Sequence, residues 1–195
     1  MYKLCLKSTL HLPPKDGFYT QKLSQRYRNS RSIQNLTLYI GKSMKKYLAL
    51  DEEPKTDVVG EKPIWIDIAD NKELLTPALE HMKKHLENDK KNEITILYDK
   101  MLSRETKEVL EKLKEPRRTG GFGWKVMEER LFHGLECDSL IYVGSGHLEA
   151  FTRARLKLFV ITFAKEIQKK DSWYKQYQAA LMLAAEHGLV QNVTL

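Results

Sequence analysis

Arginine is concentrated in this chain where it could meet an anion. SQRYRNSRSI (residues 24–33) sets Arg26, Arg28 and Arg31 around Tyr27, just ahead of a helix start. TRAR (residues 152–155) repeats the theme with Arg153 and Arg155. A guanidinium stays charged and can hold two phosphate oxygens through one planar fork. Ser30 is a residue type that caps helices, and a helix N-terminus favours anions through its unpaired N–H groups. Taken alone, the first cluster reads more readily as a solvated basic arm with Tyr27 packed on a sheet edge. Arg153 also has a simple alternative partner: Glu149, four residues earlier on a predicted helix, could pair with it for only about 0.3–0.5 kcal/mol. Arg155 would lie about 200° round that helix from Arg153. Only one of the two would then face a cleft, and Arg153 is the choice.

Two other stretches imitate nucleotide chemistry and fail on context. Gly41-Lys42-Ser43 ends like a phosphate-binding loop, but G-x-x-x-x-G-K-[ST] requires a glycine where Leu36 stands, after a strand. The segment before it reads as a helix. Asp51-Glu52 mimics the carboxylates that hold Mg²⁺, yet the gap from Ser43 is too short for a strand-helix-strand unit. The sequence therefore shows no phosphate loop of its own.

The elements that must position the arginines follow from periodicity. Residues 10–18 are predicted to be an extended entry loop, because Pro13 and Pro14 exclude a helix. From Ser30 a helix is predicted with Ile33, Leu36, Ile40, Met44 and Tyr47 on one face. An acidic loop (50–63) follows. Strands are predicted at 63–69, 93–98, 124–128, 138–144 and 157–162, and helices at 72–89, 103–114, 147–155 and 171–187. Leu75, Leu79, Met82 and Leu86 form the inner face of the second helix. Strands alternating with helices imply an α/β fold with a mainly parallel sheet covered on both faces. In such sheets ligands sit beyond the carboxyl ends of the strands, which points to the loops after residues 69, 98, 128, 143 and 162.

Composition narrows the class. The 195 residues suit one domain with a real core, and a 42% hydrophobic content argues against wholesale disorder. No apolar run approaches the roughly 20 residues of a membrane span. Cys5 and Cys137 form neither a zinc spacing nor a disulfide framework, so an intracellular compartment, nucleus or cytoplasm, is expected. Cys137 is read as core packing, and His133 and His147 have no metal partners at useful spacing. The net charge of +7 is local: residues 1–50 hold ten Lys/Arg against one acid, and the remainder is slightly acidic. That suggests an anionic partner for the first segment.

Three segments in order resemble motifs IV, V and VI of superfamily 1 helicases, the class of the UvrD/Rep/PcrA enzymes and the nonsense-mediated-decay helicases. They are LSQRYRNSRSI, FHGLECDSLIYVG (132–144) and EAFTRARLKLFVIT (149–162). The resemblance spans about residues 20–163 and concerns the second RecA-like domain only. It implies a three-layer RecA-like fold, and ATP bound in a cleft shared with a first RecA-like domain. That first domain would supply the phosphate loop and the Mg²⁺. By resemblance, Tyr27 would stack on adenine, and Arg28 and Arg153 would neutralise the γ-phosphate as arginine fingers do. Gly134 would let backbone approach the nucleotide, and Glu136 would accept a hydrogen bond from the ribose. Motif V departs from the family pattern: Glu128 and Glu129 stand in its opening stretch, where two acids would repel a nucleic-acid backbone.

The expected organisation is an extended basic lead-in (1–19), a second RecA-like domain (20–165) and a C-terminal helix packed on it (166–195). The expected function is the C-terminal half of a helicase-like ATPase, inactive alone and binding ATP weakly if at all. Its partner would be an N-terminal RecA-like domain in cis or in trans, with single-stranded nucleic acid a further candidate and no membrane. The alternative is a non-catalytic nucleic-acid-binding or protein-interaction module that keeps the same fold.

Overall fold

The computed structural model describes residues 29–44, 56, 58–68, 71–86, 94–114, 124–132, 135–144, 148–163 and 172–195. Six strands form one sheet: β1 (Ile64–Asp67), β2 (Ile94–Tyr98), β3 (Trp124–Glu128), β4 (Cys137–Val143), β5 (Ala154–Thr162) and β6 (Gln191–Val193). Their order is β3-β2-β4-β5-β1-β6, and every pairing is parallel. The helices are α1 (Arg31–Ser43), α2 (Leu75–Leu86), α3 (Arg104–Glu111), the single turn α4 (Leu148–Phe151) and α5 (Ser172–Glu186).

Strand alternation divides the core into two layers. On one face Trp65, Leu97, Leu140, Tyr142 and Val160 meet α1, α4 and α5 through Ile33, Leu36, Ile40, Phe151, Tyr174, Tyr177 and Leu181. On the other, Ile66, Ile96, Ile141, Phe159 and Ile161 meet Leu75, Leu79, Met82 and Leu110 of α2 and α3. Burying each Ile or Leu of this kind contributes about 1.5–3 kcal/mol, so the three fully buried residues of α1 anchor it firmly. The fold is thus a three-layer α/β domain, as the helix-strand alternation predicts, and of the RecA-like type that the motif resemblance implies.

One local reading holds and two change. Gly41-Lys42-Ser43 closes α1, which confirms the helix and removes any phosphate loop there. The predicted helix over 147–155 shrinks to α4, and β5 begins at Ala154 rather than at 157. The chain after α5 adds the edge strand β6, which pairs with β1 through Ile64–Gln191 to Ile66–Val193. Tyr47 and the loop over 50–55 lie outside the described residues.

The β3–β4 link opens with a 3₁₀ turn, Glu129–Leu131. It starts at the carboxyl end of β3, passes the intervening β2 and must return to the amino end of β4. From Glu128 to Cys137 the chain can reach at most about 30 Å, a short span for that crossing. Phe132 is buried in the α1–α5 layer, so the link crosses on that face.

Candidate functional site

The segments carrying the predicted site meet at the amino ends of β4 and β5. Cys137 and Ala154, the first residues of these strands, are register partners. The Cys137 backbone N–H donates to the Arg153 carbonyl at 3.0 Å. Glu136, exposed, is the residue before β4, and Arg153, half-buried, is the residue before β5. The third segment arrives through Asn29, which is buried. Its side-chain amide donates to the Thr152 carbonyl at 2.9 Å and to the Ala154 carbonyl. One amide thereby brackets Arg153 on both sides. The Asn29 carbonyl accepts from Gln34 Nε2 at 2.8 Å, and the Ser30 N–H donates to the Arg155 carbonyl at 2.7 Å. Tyr27, Arg28 and Gly134 lie outside the described residues; Asn29 is the chain neighbour of Arg28, and Leu135 that of Gly134.

This edge is opposite to the one that the general rule for parallel sheets indicates. Of the predicted site residues that are described, Glu136 and Arg153 both sit at strand starts. At the carboxyl ends of β1 and β5 there is instead a stapling network. Gln178 of α5 donates to Asp67 at 2.7 Å, and Trp65 Nε1 donates to Thr162 Oγ1 at 2.9 Å. Burial, with Asp67 nearby, holds the Tyr174 phenol there well above its usual range.

Two local expectations are corrected. Ser30 stands at the N-cap position with extended backbone, but its hydroxyl makes no capping bond. The amides it would leave for an anion are already used: Arg31 N–H donates to the Val58 carbonyl at 2.7 Å and Ser32 N–H to that of Val59 at 3.3 Å. Gly60 permits this close approach. Its φ is +67°, and a Cβ there would stand 2.2 Å from Ser30 Cβ. The Arg31 and Ser32 amides at the α1 terminus are thus not free to hold a phosphate.

The second correction concerns the two arginines of TRAR. Both lie outside the helix, since α4 ends at Phe151. Arg155 is in β5 and pairs with Asp138 at 3.5 Å. The Arg153 guanidinium makes no hydrogen bond or ion pair with a described residue, so the alternative bridge to Glu149 does not form. Choosing Arg153 over Arg155 still leaves the less committed of the two charges.

Arg153 also borders a cleft of about 240 Å³, together with Leu97, Lys100, Glu129, Phe132 and Glu149. Glu129 is the residue that sequence reasoning misread as a repulsive surface acid. The Tyr142 hydroxyl donates to its Oε2 at 3.1 Å. Burial, with Asp99 adding to it against the Tyr142 bond, pushes its pKa up to about 7. Its neighbour Glu128 is paired with Arg130. The two acids therefore present far less negative charge at neutral pH than their sequence implies. Nothing in the local sequence signals this, because Tyr142 and Asp99 belong to other strands' ends.

The raised pKa has a sign. Between about pH 4.5 and 7 the folded chain holds a proton on Glu129 that the unfolded chain has lost, so this group lowers stability as pH rises through that window. Glu129→Gln should accordingly stabilise the protein at pH 8 by about 1 kcal/mol, discounted for partial exposure. The gain should vanish below pH 4. Melting curves of both proteins across pH check it, and a pH-independent difference would contradict it.

Among solved structures, the chain is similar to the C-terminal domain of a possible DNA helicase from Lactobacillus plantarum WCFS1. The TM-score is 0.50 at 15% identity, over 85% of this chain and 98% of that one. At that identity the likeness speaks for the α/β fold alone. No protein-family model matches the sequence, and no curated protein matches it. Among the described residues no helix is long and apolar enough to cross a membrane.

Proposed function

We propose that this chain is the arginine-bearing half of a shared ATP site, the second RecA-like domain of a superfamily 1 helicase-like ATPase. The observation that carries the reading is the double hydrogen bond from Asn29 to the carbonyls flanking Arg153. It joins the segment following Tyr27-Arg28 to the turn of motif VI, while the Cys137–Arg153 backbone bond joins motif V to the same turn. Three motifs far apart in sequence thus share one edge, as a composite nucleotide site demands.

In this reading Arg28 and Arg153 meet the γ-phosphate, Tyr27 covers the adenine, and Gly134 and Glu136 border the ribose. A guanidinium with no internal partner can neutralise charge that develops in the transition state without first breaking a bond. The phosphate loop and Mg²⁺ come from a first RecA-like domain, in cis or in trans.

Half a site binds weakly. The loop that cradles the β- and γ-phosphates provides much of the hold on ATP. Calorimetric titration of this chain with Mg·ATP should therefore show no saturation in the micromolar range, and micromolar binding would overturn the shared-site reading. The same titration with single-stranded nucleic acid tests the non-catalytic alternative. That module would bind with affinity falling steeply in salt, and equally well in an Arg153→Ala variant.

A further inference from the structure

On α2, two histidines one turn apart form a site of a different kind. His81 and His85 are at helical i and i+4 positions and so share a face. Their Nε2 atoms lie 3.2 Å apart. The ring centroids are 4.9 Å apart and the rings are tilted by 54°. Two metal–nitrogen bonds of about 2.0–2.1 Å meeting at the tetrahedral angle leave their nitrogens about 3.3–3.4 Å apart. The pair thus has the bite of a chelate with little rotation of either ring.

The surroundings hold that geometry and keep it reachable. Met82 and Leu86 are buried in the core and fix the face that α2 turns outward. The His85 ring packs against Phe159 of β5 at 6.4 Å. His81 is half-buried and His85 exposed. Partial burial, then His85 and Lys84, lower the His81 pKa. This favours the neutral ring, the form that ligates a metal.

We propose that His81 and His85 form a bidentate site for one late first-row divalent ion, Zn²⁺, Ni²⁺ or Cu²⁺, with water completing its coordination. The ligand set selects that class. Imidazole suits these ions, whereas Ca²⁺ and Mg²⁺ take oxygen donors. Lys83 and Lys84 beside the pair oppose any cation held by charge alone. Without metal the same approach serves an N–H···N hydrogen bond between the rings, one donating and one accepting.

The test uses the full chain, freed of any affinity tag and of metal, titrated calorimetrically with Zn²⁺, Ni²⁺ and Mg²⁺. One Zn²⁺ or Ni²⁺ per chain should bind saturably, and Mg²⁺ should not. His81→Ala and His85→Ala should each weaken binding at least tenfold, with circular dichroism showing both folded. Lys84→Ala should bind as tightly as the parent or more so. Cu²⁺ added to the parent should give a spin-resonance spectrum with nitrogen coupling, lost in either histidine variant. Saturable binding unchanged by both histidine substitutions would overturn the proposal, as would no saturable binding of Zn²⁺ or Ni²⁺.

Discussion

Arg153→Ala should lower ATP turnover by about 10³–10⁵-fold when the chain acts with a phosphate-loop RecA-like domain, the range by which an arginine finger accelerates phosphoryl transfer. Stability should hardly change. Arg153 is half-buried and its guanidinium has no partner among the described residues, so truncation breaks no internal bond. Surface changes of that kind fall within about ±0.5 kcal/mol. Arg153→Lys should recover little, because an ammonium cannot present the planar fork that holds two phosphate oxygens. Arg155→Ala provides the contrast: its charge is engaged with Asp138, and turnover should stay within a few-fold of the parent. The measurement is steady-state phosphate release beside a melting curve for each variant. Full turnover in Arg153→Ala would remove this residue from the site.

Asn29→Asp should destabilise the domain more than Asn29→Ala, although Asp is nearly the shape of Asn. The Asn29 amide donates to two carbonyl oxygens in a buried setting. Alanine leaves acceptors unpaired, at roughly 1–3 kcal/mol. Aspartate adds a carboxylate facing those oxygens, so it must either repel them or take up a proton. For a chain of this length the alanine change corresponds to a fall in Tm of about 3–10 °C, and the aspartate change to a larger one. Both should also loosen the turn holding Arg153, visible as faster hydrogen exchange at the Ser30 and Cys137 amides, which donate to the Arg155 and Arg153 carbonyls. Equal melting temperatures for the two variants would show that the amide does not hold this edge together.

The two substitutions separate chemistry from assembly. In the proposed reading Arg153 acts on a phosphate and is expendable for folding, whereas Asn29 positions the edge. A reading as a plain interaction module predicts a fall in stability for Asn29→Asp but no specific role for Arg153.

Much of the fold could be read from periodicity. Ile33, Leu36 and Ile40 recur at helical spacing and are all fully buried. The apolar runs of β2, β4 and β5 signalled strands covered on both faces. Such patterns are legible because a residue's burial there depends on its own element's period. The end of α4 was not legible in this way. TRARLKLFVIT carries helix-compatible residues at its start, but pairing of Ala154 with Cys137 draws them into β5. β6 escaped because Gln191-Asn192-Val193 is short and polar, and becomes a strand only by lying beside β1.

By itself, the amino-acid sequence determined the α/β class, the two arginine clusters and the absence of a phosphate loop within these residues. Those properties reside in residue type and short-range spacing. Tertiary structure decided which groups are spent and which are available. Val58 and Val59 use the α1 amides, Asp138 engages Arg155, and Tyr142 with Asp99 shapes the ionisation of Glu129. Arg153 emerges beside Asn29 only because β4 and β5 begin in register. Hydrogen bonds and desolvation act over a few ångströms in space, between residues more than a hundred positions apart in the chain, and no local pattern encodes that meeting.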